Sequence, residues 1–107
     1  MKKLLFLLLF LMPLSGFANA IMFKTPISGT ATASSVQVLP QNTLRSYLIV
    51  LNTGSVNICL KPNSAQTGCQ GIVIPPGGNY EPFKAGSNAI YLDTASSTST
   101  YVLMEGQ

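Results

Sequence analysis

Histidine and tryptophan are absent from the 107 residues, only three side chains are acidic, and only two are cysteine. Each shortage closes off some chemistry. Without histidine there is no usual general base for a serine or cysteine nucleophile, and the commonest metal ligand is missing. Hydrolase triads are excluded as normally built. A structural zinc site takes four thiolate or imidazole ligands, which two cysteines cannot supply. Glycosidase-type catalysis needs two carboxylates at a set separation, and Glu81, Asp93 and Glu105 are the whole acidic stock. Each follows an apolar run or stands in a turn, so three solvated surface carboxylates are expected. No glycine-rich phosphate loop opens a helix: Pro75-Pro76-Gly77-Gly78 lacks the lysine pattern and reads as a turn. No enzyme is expected, and no catalytic residue, cofactor or metal ligand is assigned.

Charge is scarce, at 8% of residues. Lys2 and Lys3 precede an apolar run from Leu4 to Met12, then Pro13 and small residues ending in Ala18-Asn19-Ala20. This is the pattern of a secretory signal peptide, with Ala18 and Ala20 as the small residues of the cleavage site. The run is too short, before Pro13 interrupts it, to span a membrane. Residues 1–20 are read as the signal peptide and 21–107 as one mature domain, free of the membrane after cleavage. That domain keeps Lys24, Arg45, Lys61 and Lys84 against the three acids. Four scattered cations give no footprint for nucleic acid, which needs clustered positive charge to displace counterions. They are expected on the solvated surface.

Export bears on the cysteines. Cys59 and Cys69 flank the polar loop Leu-Lys-Pro-Asn-Ser-Ala-Gln-Thr-Gly. A redox pair is normally Cys-x-x-Cys at a helix start, which this spacing does not match. An oxidising compartment makes a disulfide the default, and one intrachain bridge is expected. Closing a loop of about 11 residues is worth roughly 2.8 kcal/mol in the chain-entropy description. The pinned loop also offers contact residues, of which Asn63 and Gln66 are candidates.

The mature chain shows no helical period. Short runs of Val, Ile, Leu, Tyr and Thr recur between Gly, Pro and Asn punctuation, which is the signature of an all-β domain. Strands are expected over residues 22–27, 33–39, 45–51, 56–61, 71–74, 79–83, 89–93 and 101–105. Residues 45–51 are apolar at both alternating sets of positions and predict a central strand packed from both sides. After the Asn52-Thr53-Gly54 turn the chain should fold straight back through Val56, Ile58 and Leu60. Seven to eight strands in one small domain predict an antiparallel β-sandwich or a partly closed barrel. Tyr47, Tyr80, Phe83, Tyr91 and Tyr101 could line a sugar platform, but aromatics are favoured in strands and in small cores. Tyr80, beside the Gly77-Gly78 turn, is the candidate to test for glycan contact.

The order Arg45 to Leu51, the Asn52-Thr53-Gly54-Ser55 turn, Gly71-Ile72-Val73-Ile74-Pro75-Pro76-Gly77, Asn88-Ala89-Ile90-Tyr91 and Val102-Leu103-Met104-Glu105-Gly106 resembles small all-β modules of bacteriophage virion proteins. The resemblance runs from about Thr32 to Gly106. It implies a non-enzymatic structural or decoration protein that makes protein contacts on a particle surface, with no catalytic residues to carry over. The signal peptide and the cysteine pair depart from the pattern of phages assembled in the cytoplasm. They suit a phage whose coat passes through the host inner membrane, or a bacterial surface protein. The expectation is an exported structural or attachment subunit with protein partners, self-assembly included, in the periplasm, outside the cell or on a virion. The alternative is a monomeric binding module for a glycan or a partner protein.

Overall fold

The computed structural model describes residues 20–65 and 68–107. The expected signal peptide up to Asn19, with Ala18 of the expected cleavage site, therefore lies outside the described residues, as does Gln66; Ala20 is exposed at their margin. The described residues form eight strands and no helix: β1 (Ile27–Ala31), β2 (Val36–Leu39), β3 (Tyr47–Asn52), β4 (Ile58–Pro62), β5 (Ile72–Ile74), β6 (Asn79–Tyr80), β7 (Ile90–Asp93) and β8 (Ser99–Gly106). They make two four-stranded sheets, ordered β1-β8-β3-β6 and β2-β7-β4-β5, in which every pairing is antiparallel. The domain is an open two-sheet sandwich and not a closed barrel.

Alternation builds the core. Side chains two apart on a strand share a face, so Leu48 and Val50 of β3 lie beside Tyr101 and Leu103 of β8, with Val50 paired to Leu103. Opposite them Leu39, Ile58, Leu60, Ile74, Ile90 and Leu92 complete one buried cluster. At about 25 cal/mol per Å2 of apolar surface removed from water, this cluster supplies the main drive for folding.

Two expectations about strand packing are corrected. β3 does not form a hairpin with β4: β3 pairs with β8 and β6, and β4 with β7 and β5. The chain crosses between sheets because Asn52 is buried and its side chain is committed inward. Its Nδ2 donates to Val56 O at 2.7 Å and Ile74 O at 2.8 Å, while Oδ1 accepts from Gly54 N and Ser99 Oγ. Thr53 N also donates to Thr100 O, holding the chain against β8 one residue further. Nor is β3 covered on both faces, since Tyr47, Ile49 and Leu51 are only half-buried. The strand buried on both faces is β4, where Ile58, Cys59, Leu60 and Lys61 are all inaccessible. Strand limits shift too: residues 22–27 do not form one strand, because β1 begins at Ile27 and Phe23 makes an isolated bridge to Gly106.

Candidate functional site

Among the described residues, most of the charged side chains, Arg45, Lys61, Asp93 and Glu105, are placed inside. Glu105 belongs to the inward-facing series Ser99, Tyr101, Leu103, Glu105 of β8, all buried, and it sits where the core ends. The Arg45 Nε donates to its Oε2 at 2.7 Å and Lys24 Nζ lies 3.2 Å from its Oε1. The rest of the guanidinium ties three loop carbonyls together, with Nη1 donating to Gly86 O and Asn88 O and Nη2 to Pro40 O. Burial opposes charge on Glu105, but the hydrogen bonds from Arg45, Lys24 and Asn42 outweigh it and hold the carboxyl below its ordinary value. The surface expectation for these groups is therefore corrected. Planar, five-donor arginine can satisfy a carboxylate and several carbonyls at once, which makes burial tolerable.

A second pair lies on the face of β4 and β7 turned away from the core. Cys59 is paired with Asp93 across the two strands, and Lys61 with Tyr91. Lys61 Nζ donates to Asp93 Oδ2 at 2.8 Å, and Asp93 is 0% exposed. Its Oδ1 has no hydrogen-bond partner. On this face Cys59, Lys61 and Asp93 are inaccessible, because Cys69 is joined to Cys59 by a disulfide, Cα to Cα 5.1 Å, which draws the following chain back across its own sheet. Gly71 then lies so close that a Cβ there would strike Leu60 O and would come within 2.7 Å of Lys61 Cγ. Of the charged residues expected at the surface, Glu81 and Lys84 are exposed and Lys24 is half-exposed; Asp93, Glu105, Arg45 and Lys61 are not.

The other candidates separate by environment. Asn63, with φ 54°, donates its N–H to Ala89 O and accepts the Ala89 N–H on its Oδ1, so its amide ties the disulfide loop to the entry of β7. Tyr80 is half-buried against the core. Tyr101 is core, and burial raises its hydroxyl pKa. Tyr47 donates to Glu81 Oε2 at 2.5 Å, which raises its pKa, and Tyr91 donates to Gln37 Oε1. The aromatics do not form a common platform: Phe83 alone of these five is 100% exposed, in the loop between β6 and β7. Phe83 is among the aromatics named from the sequence, but its expected place in a strand over residues 79–83 gives no sign of this full exposure.

What the surface presents is apolar strand edge. β1 and β6 end one sheet, β2 and β5 the other. Ile27 on β1, Val36 on β2, and Ile72 with Val73 on β5 are exposed, Val73 to 50%. Among the described residues no group of three or more His, Cys, Asp or Glu side chains gathers to hold a metal, and no helix is long and apolar enough to cross a membrane.

No protein family matches this sequence, and no curated protein does. Among solved structures one similar chain comes from work on Bacillus endospore appendages, described as a novel family of disulfide-linked pili. It is 17% identical, with a TM-score of 0.48, over 81% of this chain and 87% of that one.

Proposed function

We propose that residues 21–107 are a non-enzymatic, exported structural or attachment subunit of a surface assembly, on a virion or a cell, released by removal of a signal peptide ending at Ala20. The observation that carries this reading is the set of open sheet edges bearing exposed β-branched residues, above all Ile72 and Val73 on β5. An edge strand presents unpaired N–H and C=O groups, and monomeric proteins usually blunt such edges with charge, proline or a bulge. Here β5 carries no charge. Most of the polar side chains with unusual environments are occupied in holding loops and sheets together, which leaves the edges and loops for contacts. Size-exclusion chromatography with light scattering on the oxidised mature chain tests this. A defined oligomer is expected, and a monomer at every accessible concentration would refute it.

Phe83 favours a second reading, a monomeric module that binds a glycan or a partner protein. A fully exposed phenylalanine beside Pro82 and Lys84 has the character of an anchor for a partner surface. Binding on a glycan array or to a captured partner that disappears in Phe83→Ala, with the chain monomeric, would select it.

A further inference from the structure

Residues 21–24 form a separate arm at the start of the domain. Met22 and Gln107 exchange both backbone hydrogen bonds, at 2.6 and 2.9 Å, and Lys24 N donates to Glu105 O. The arm therefore extends the sheet along the last turn of the β8 ladder, beyond the reach of β1, whose pairing with β8 ends at Ile27 and Leu103. Pro26 separates arm from strand and has no N–H to continue the ladder.

Its seat is fitted to it. A Cβ at Gly106 would come within 2.6 Å of Ile21 Cγ2 and 3.2 Å of the Phe23 ring. The Phe23 ring stands edge-on to Tyr47 at 5.2 Å, and Lys24 meets Glu105. Bare glycine, aromatic ring and buried acid thus match three residues of the arm, Ile21, Phe23 and Lys24. Even so, the seated arm leaves Met22 71% and Phe23 57% exposed. Three backbone hydrogen bonds, one ring contact and one half-exposed ion pair are few contacts for a terminal segment, which places it among the parts of a fold that open most easily.

We propose that the arm is exchanged between two copies of this chain, each placing its residues 21–24 in the Gly106 seat of the other. This rests on the assembly reading above. The occupant is a second copy because the seat's acid, aromatic and glycine complement this arm's own Lys24, Phe23 and Ile21. Exchange then costs little, since every contact broken is remade. Reach limits the partner: four extended residues span at most roughly 14 Å, so an arm swinging at Pro26 finds only a seat close to its own. Reciprocal exchange between two such seats closes a two-fold pair.

The test co-expresses two exported chains carrying different tags, one Met22→Cys and the other Gln107→Cys. These exposed, mutually hydrogen-bonded positions tolerate a thiol, and neither chain can link them within itself. A disulfide joining the two tags is expected, well above that between Met22→Cys and Thr98→Cys at the far end of the sandwich. No excess over that control overturns the exchange; in a single chain carrying both substitutions a doubly linked pair is expected on non-reducing electrophoresis, and a ladder of higher multimers there overturns the closed pair. Light scattering separates the two proposals. The chain from Ile21 should have twice the mass of one copy, and a chain beginning at Thr25 should pair about tenfold or more weakly. Equal assembly of both chains refutes exchange and leaves the assembly reading standing, whereas monomers throughout refute both.

Discussion

Arg45 and Glu105 show how few residues hold the loop end of the sandwich. The Arg45 side chain is wholly inaccessible and Glu105 nearly so, so removing one partner strands the other charge in a poorly solvated site. Glu105→Ala is expected to cost about 3–5 kcal/mol in urea denaturation, whereas the apolar double replacement Arg45→Met with Glu105→Leu should recover part of that loss. The same contact makes stability depend on pH. The folded Glu105 pKa is lowered, so its contribution is complete above the unfolded value of about 4.3 and is lost as pH falls through the folded pKa. The denaturation midpoint should drop across this acid range, and less so in Glu105→Gln. The burial of Glu105 has a sequence trace, since it continues the inward alternation of Tyr101 and Leu103. Composition hid that trace, because each of a few scattered charges is expected in water when taken singly. Lys61 and Asp93 left none, since they lie on an outward face that only the returning loop covers.

At the level of elements, β4 and β5 depend on the staple between them. Three register pairs join the two strands, Ile58 to Ile74, Cys59 to Val73 and Leu60 to Ile72, and so short a ladder is weak alone. Replacing both cysteines by alanine should cost roughly 2.8 kcal/mol, and hydrogen exchange should show lost protection concentrated in β5. Gly71→Ala attacks the same element differently, by setting a methyl group against Leu60 O. It should destabilise by about 1–3 kcal/mol with the disulfide intact, measured by the shift in thermal midpoint. Punctuation by Gly, Pro and Asn located seven of the eight strands to within a few residues, but it set the first at 22–27 where β1 is Ile27–Ala31, and it misjudged the link after β3. A turn rich in Asn and Gly suits a hairpin and a crossing between sheets equally. The choice fell to the Asn52 side chain, whose partners Val56, Ile74 and Ser99 come from three other parts of the chain.

At the scale of the whole molecule the sheet edges are surfaces free for contact, and edges exist only once strand order is fixed. Val73→Lys places a charge on the exposed edge of β5 without entering the core, so it should leave the melting temperature nearly unchanged while reducing any association through that edge, as read by light scattering at matched concentrations. The sequence by itself determined an all-β domain, its approximate strands, the lack of histidine-based chemistry and the expectation of a cysteine bridge, because period-two patterning, turn residues and residue inventory are local properties. Only the tertiary structure decided that β4 and not β3 is buried on both faces, that four charges lie inside, that Phe83 stands in water, and that residues 21–24 rest on Gly106. Each of those depends on which distant segments come to lie against one another, and burial, partner and edge are properties of that arrangement.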